Sequence, residues 1–211
     1  EDYAEATLET LATDVLDDEG EELPPQNMGN LAITLPLPPG CSNQIWNDKN
    51  RFYNAYLKKF SGYYDTSDAG IINEDGYISV MSRTDDIINC AGHRLSTGSI
   101  EEILTQHPDI AECAVIGLND KLKGQVPIGL IVLNNSHQKK ESEIIDQSIS
   151  LVRNKLGPVA SYKKSLIIKN LPKTRSGKIL RAIISKILNN QSFKNPATIE
   201  DINSLKLISS L

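Results

Sequence analysis

Four cations crowd one short stretch near the end of the chain: Lys173, Arg175, Lys178 and Arg181, set around Thr174, Ser176 and Gly177. The run Lys173-Thr174-Arg175-Ser176-Gly177-Lys178 is not a Walker phosphate loop. Pro172 stands where that pattern needs its first Gly, and Ile179 replaces the Ser or Thr that holds magnesium. The apolar residues that follow predict a helix, and cations at a helix start oppose its dipole by a few tenths to ~1 kcal/mol each. A chain with 22 Lys+Arg against 27 Asp+Glu gains from that placement only if an anion docks there; the alternative is a solvated basic loop. The Ser176-Gly177 pair predicts a flexible loop that delivers Lys178 to a phosphate. A second group lies upstream. Asp68, in Tyr64-Asp65-Thr66-Ser67-Asp68-Ala69-Gly70, is a carboxylate at a strand end, able to accept hydrogen bonds from both hydroxyls of a ribose. Arg83, in Ser82-Arg83-Thr84-Asp85-Asp86, can close the other side with its planar donor fork. Gly92, in Ala91-Gly92-His93-Arg94-Leu95, marks either a plain turn or a close approach by a ligand.

These residues must be held by elements that the composition allows. The chain has 211 residues, 39% hydrophobic and 23% charged, which is ordinary globular usage. A net charge of −5 argues against nucleic acid and anionic membrane surfaces as partners. The longest apolar run, 128–133, is far short of the ~20 residues that span a bilayer. Cys41, Cys90 and Cys113 are odd in number and widely spaced, and the three histidines are scattered, so neither a disulfide framework nor a zinc cage is encoded. An intracellular, reducing location is the expectation. The chain opens on Glu1-Asp2-Tyr3 without Met, which we read as processing or truncation.

The first ~80 residues read as strands and turns around one helix. A strand is expected over 30–35, a helix over 50–60 from Phe52, Tyr53, Tyr56, Leu57 and Phe60, and a hairpin over 63–80 turning at Asn73-Glu74-Asp75-Gly76. Near Asp85 the rhythm changes. Ser99-Ile100-Glu101-Glu102 has the form of a capping box. Two buried strands are expected over 111–117 and 126–133, then an amphipathic helix through Ile145, Ile149, Val152 and Leu156, closed by Gly157-Pro158. A third strand over 165–169 and a helix from Ile179 to Leu188 complete an α+β or α/β domain of ~100 residues. After Asn189 only a short helix near 198–205 is expected.

Taken in order, Gly62-Tyr63-Tyr64-Asp65-Thr66-Ser67-Asp68, Glu74-Asp75-Gly76-Tyr77, Arg83-Thr84-Asp85-Asp86, Gly92-His93-Arg94, Glu101-Glu102 and Leu171-Pro172-Lys173-Thr174-Arg175-Ser176-Gly177-Lys178 resemble the C-terminal part of adenylate-forming (AMP-binding) enzymes. The likeness covers roughly residues 10–190. Leu35-Pro36-Leu37-Pro38-Pro39-Gly40 and Gly92-His93-Arg94-Leu95-Ser96-Thr97-Gly98 are similar to the short-chain acyl-CoA synthetases, nearest the propionate–CoA ligase branch.

The resemblance implies an α+β arrangement: residues 1–84 as the β-rich end of a large N-terminal AMP-binding domain, 85–190 as a small mobile C-terminal lid, and 191–211 as a tail. It implies a two-step ligase making acyl-CoA from propionate or acetate, ATP and coenzyme A through an acyl-adenylate, with Mg held by the part not present. Asp68 and Arg83 correspond to the ribose-binding pair, Arg94 to an arginine near the nucleotide phosphate, and Asp85 to the hinge. Gly92 corresponds to the glycine of the pantetheine tunnel, Arg153 to a CoA-phosphate contact, and Lys178 to the adenylation lysine. A lysine acetyltransferase and deacetylase acting on Lys178 are implied partners. The location implied is the mitochondrial matrix if eukaryotic, otherwise the cytoplasm. The family reads Thr-Gly-Asp where this chain has Thr66-Ser67-Asp68. Its Ser/Thr/Gly-rich phosphate loop has no counterpart in residues 1–60, so a fragment inactive in ATP–pyrophosphate exchange is expected. The alternative is a stand-alone nucleotide- or CoA-binding module without catalysis.

Overall fold

A computed structural model describes residues 12–210; the Glu1-Asp2-Tyr3 opening falls outside them. The chain divides into two units, residues 1–85 and 86–211, so the change of unit falls between Asp85 and Asp86.

The first unit is an antiparallel sheet in the order β1-β2-β3-β4, formed by Thr13–Leu16, Gly29–Thr34, Tyr63–Ile72 and Ile78–Arg83. The β3–β4 turn forms as expected: the Asn73 side chain accepts from the Tyr77 N–H at 2.8 Å, and Gly76 takes a φ of +83°. β1, for which no strand was specified from the sequence, forms because Val15 and Leu16 are buried on the sheet, Leu16 beside Ala32 and Phe60. The expected helix over 50–60 is cut short. Only Lys49–Phe52 (α1) is α-helical, capped by Asp48, and Tyr53–Leu57 widens into a π turn. Its aromatics are used locally, with Phe52 tilted against Tyr56 and Tyr56 stacked on Tyr64, so no long buried face sustains the helix.

The second unit is layered. β5 (Ile87–Cys90) and β6 (His93–Ser96) form a hairpin; α2 (Thr97–Leu104) follows, then β7 (Ile110–Asp120), β8 (Gly124–Leu133), α3 (Glu141–Leu156), β9 (Lys164–Ile167), α4 (Arg181–Leu188) and α5 (Asn203–Ser209). The sheet runs β6-β5-β8-β7, and β9 joins β8 in parallel. Side chains alternate faces. Cys113, Val115 and Ile131 pack with Ile100, Leu104, Ile144 and Val152 of α2 and α3 on one side. Ala114, Ile116, Ile128 and Leu130 pack with Ile184 of α4 and Ile208 of α5 on the other. Burial on both faces is why 128–133 reads as an unbroken apolar run.

Three local expectations change. Helix α2 is capped by Ser96, whose hydroxyl accepts from the Ser99 N–H, so the box at Ser99-Glu102 does not form. Glu101 is used elsewhere, as described below. The last long helix begins at Arg181 rather than Ile179, because residues 173–179 are drawn into a hairpin. The tail helix lies at Asn203–Ser209, where Leu205 and Ile208 are buried.

Candidate functional site

The Asp68 region is built on a β-bulge. Opposite β3, Leu31 pairs with Asp68 and the next residue, Ala32, with Asp65, so Thr66 and Ser67 are extruded from the ladder. Side chains lock the extrusion. Asp65 accepts from the Ser67 N–H at 2.8 Å, the Thr66 hydroxyl donates to the Leu31 carbonyl at 2.7 Å and accepts from the Asp68 N–H, and Thr84 donates to the Ser67 carbonyl. Ser67 sits at φ +60°, the left-handed region that Gly occupies without strain. Asp68 is thereby presented opposite Arg83 of β4. The guanidinium lies 3.7 Å from Asp68 and 3.7 Å from Asp85, with side chains 57%, 35% and 67% exposed, so this trio is loose and open to solvent.

The Lys178 loop is a hairpin. The Thr174 N–H donates to the Lys178 carbonyl at 2.8 Å, and the Gly177 N–H closes a turn on the Thr174 carbonyl at 2.8 Å. The Lys178 N–H donates to the Thr174 hydroxyl at 3.1 Å. Gly177 supplies the φ of +82° that the turn needs. The Ser176-Gly177 pair therefore sits in a tight, hydrogen-bonded turn. The cations of the cluster are sorted into two kinds. Lys173 binds Glu112 at 2.6 Å, and Arg181 makes a two-pronged contact with Glu101, Nε to Oε1 at 3.0 Å and Nη2 to Oε2 at 2.6 Å. Glu101 Oε1 also accepts from the Val115 N–H at 2.8 Å, which ties α2, β7 and α4 together. The bonds to Glu101 outweigh burial and raise the Arg181 pKa. Lys178 and Arg175 are exposed and form no ion pair among the described residues.

Gly92 lies at the tip of the β5–β6 hairpin. Ala91 and Gly92 have φ of +51° and +83°, the pair of positive values that a two-residue hairpin turn demands. A side chain at Gly92 would meet nothing within 4 Å, so within this chain the turn alone explains the glycine. Arg94 is half-buried on β6, paired in register with Asn89, and His93 is exposed. Arg153 is exposed in the last turn of α3, where with Lys155 it complements the helix dipole. It also borders a cavity of about 520 Å³ with Lys123, Gly157, Pro158, Tyr162 and Lys163, and among the described residues no carboxylate lines that cavity. Lys123 is set by a turn whose Leu122 and Lys123 N–H groups both donate to Asp120; these bonds lower the Asp120 pKa. Its ammonium donates to the Ser161 hydroxyl at 2.7 Å. Sequence reasoning missed Lys123 and Lys163 because only folding brings them beside Arg153. It also missed the chain of hydroxyls Tyr162, Ser165 and Ser148, bonded at 2.7 Å each, behind the same cavity. Burial raises the Tyr162 pKa. Among the described residues, no group of His, Cys, Asp and Glu side chains is arranged to hold a metal ion, and no helix is long and apolar enough to cross a membrane.

Comparison with known proteins fits this geometry. Residues 99–178, from within the first turn of α2 to the lysine of the hairpin, match the model of the AMP-binding enzyme C-terminal domain. The chain carries that domain. It is homologous to the C-terminal part of the short-chain acyl-CoA synthetases, which are ligases. It is 48% identical over 194 residues to acyl-CoA synthetase short-chain family member B, mitochondrial, of Dictyostelium discoideum, covering 92% of this chain and 28% of that protein. It is 46% identical over 187 residues to acyl-CoA synthetase short-chain family member 3, mitochondrial, of Homo sapiens, covering 89% of this chain and 27% of that one. In fold it is similar to the acetoacetyl-CoA synthetase from Streptomyces lividans, with a TM-score of 0.79 at 20% identity over 95% of this chain and 30% of that one. The AMP-binding C-terminal domain and the sheet before it thus span under a third of these relatives' length. A stand-alone binding module is the less favoured alternative, since the homologues are synthetases.

Proposed function

We propose that this chain supplies the ribose clasp and the mobile lid of a ligase that joins a short-chain carboxylate to coenzyme A at the expense of ATP. In the first step the carboxylate attacks the α-phosphate of ATP, giving an acyl-adenylate and pyrophosphate. In the second the CoA thiol displaces AMP and the thioester forms. Asp68 accepts from the ribose hydroxyls and Arg83 closes the clasp, its 3.7 Å contacts loose enough to yield to a ligand. Arg94 lies toward the nucleotide phosphate, and Asp85, at the change of unit, is the hinge. Lys178 stabilises the charge developing between the carboxylate and the α-phosphate. Gly92, with open space before it, lets the pantetheine arm pass, and Arg153 with Lys123 and Lys163 receives CoA phosphates in the acid-free cavity. Propionate or acetate is the substrate, the mitochondrial matrix or cytoplasm the location, and an Nε-acetyltransferase with its deacetylase the switch on exposed Lys178. Magnesium accompanies ATP and is assigned no ligand in this chain.

The observation that supports this reading is the sorting of the basic cluster: Lys173 and Arg181 are engaged by carboxylates, while Lys178, exposed like Arg175, projects from a hydrogen-bonded turn. The test is propionate- and acetate-dependent ATP–pyrophosphate exchange. This chain joined to an upstream adenylate-forming domain should catalyse it, and the 211 residues alone should not. Exchange by these residues alone, or none by the joined protein, would contradict the assignment.

A further inference from the structure

The hairpin that presents Lys178 does not stand alone. Residues 173–175 form its middle strand. On one edge Lys173 is bridged to Ile179 and the Thr174 N–H donates to Lys178; on the other, Thr174 is bridged to Ile199. The Arg175 N–H donates to the Thr198 carbonyl at 2.9 Å, and the Glu200 N–H donates to the Lys173 carbonyl at 3.0 Å. Three residues later α5 begins, and its Leu205 and Ile208 are buried, Ile208 against the same apolar cluster as Ile184 of α4. The match to the AMP-binding C-terminal domain stops at Lys178, so this third strand and its anchor lie outside it.

We infer that the segment after α4 is a positioning element for Lys178. Residues 198–200 add a strand to the lysine hairpin, and α5 pins that strand to the domain core. An isolated two-stranded hairpin is marginal in water, whereas a third strand fixed to a hydrophobic anchor gives it standing. The inference rests on the reading of Lys178 as the adenylation residue. Its structural half is independent of that reading. Neither Thr198 nor Glu200 touches substrate; they act by holding the turn from which the ammonium projects, so that charge meets the reacting atoms without first being ordered.

Glu200→Pro tests it. Proline removes the N–H that donates to Lys173, and the extended conformation it favours in the residue before it suits the bridged Ile199. Helix α5 stays in place. Hydrogen–deuterium exchange is read at the Thr174 and Leu180 amides, whose acceptors are the Lys178 and Pro172 carbonyls and not the tail. They should exchange about tenfold faster, from the loss of one backbone bond and its cooperativity. Amides of β7 and β8 should be unchanged, as should Thr174 and Leu180 in Glu200→Ala, which keeps the donor. Unchanged Thr174 and Leu180 exchange in Glu200→Pro, or equal acceleration across β7 and β8, would overturn the brace. Joined to an upstream adenylate-forming domain, Glu200→Pro should lower kcat for adenylation about tenfold, leaving the KM for ATP and the thioester half-reaction alone. A loosened hairpin with intact adenylation would overturn the positioning role through the reading of Lys178, while the brace itself would stand.

Discussion

Each unit holds an arginine facing a carboxylate across neighbouring elements, and the two pairs are built in opposite ways. Arg83 lies 3.7 Å from Asp68 with more than half of its side chain exposed. Arg181 grips Glu101 through two bonds of 3.0 and 2.6 Å, with Glu101 only 13% exposed and a backbone N–H completing its shell. The same chemical pair is a solvent-screened contact in one place and a structural rivet in the other. Distance and burial decide which. A loose pair leaves donor and acceptor capacity for a ligand, whereas a satisfied one has none to spare. The basic cluster near Lys178 follows the same rule, with Lys173 and Arg181 spent on structure and Arg175 and Lys178 left exposed without an ion pair among the described residues.

Ways to break this contrast run from large effects to small. In the ligase assembled with an upstream domain, Lys178→Ala should lower kcat for adenylation by ~100- to 1,000-fold, the usual loss of one transition-state donor. The KM for ATP should barely move and the stability of this chain should stay within ~0.5 kcal/mol. Glu101→Ala should destabilise the second unit by about 2–4 kcal/mol by leaving Arg181 half-buried without its partner. That loss is read as faster exchange of β7 and β8 amides. The matching Asp68→Asn should cost under ~0.5 kcal/mol and instead raise the KM for ATP. Equal stability losses from the two would dissolve the comparison.

Alkaline pH gives a further check. Burial, helped by the charge of Glu101, pushes the Cys113 thiol up from its usual 9.0 to about 12. Below pH 9 the thiol keeps its proton in both states. As pH climbs toward about 12 the unfolded chain releases that proton and the folded chain does not, so stability should fall by up to ~1.4 kcal/mol per unit. Cys113→Ala should flatten that slope in urea titrations at pH 9 and 11. At neutral pH a thiol reagent should label exposed Cys41 and spare Cys90 and Cys113. A modest effect is expected from Ser67→Gly, which should stabilise the first unit by ~0.5–1 kcal/mol by relieving the left-handed backbone. A destabilisation would mean that the bulge presenting Asp68 is not held as described.

Much of this was readable beforehand where local pattern and tertiary context agree. Strands β7 and β8 and helix α3 follow from apolar runs and periodicity, and the Asn73–Gly76 turn from its residue types. The hairpin β5–β6 was hidden because its turn lies at Ala91-Gly92, and alanine gives no signal of a positive φ. Glu101 reads only as a member of the Ser99–Glu102 box, since nothing local announces a partner as distant in sequence as Arg181. Ser148 sits on the buried face of α3 because Ser165 and the Ile145 carbonyl satisfy its hydroxyl, a pairing with Ser165 that helical periodicity cannot see. The loop of Lys178 was legible as a basic cluster but not as a braced hairpin, because its third strand comes from a polar tail.

The central claim is that Lys178 serves the first half-reaction and not the second. The direct measurement is the pair of half-reactions of Lys178→Ala in the ligase assembled with an upstream domain: carboxylate-dependent ATP–pyrophosphate exchange, and thioester formation from supplied acyl-adenylate and CoA. Exchange should fall ~100-fold or more while thioester formation continues near its normal rate. Equal loss of both, or loss of neither, would contradict the account and return Lys178 to the role of a surface cation.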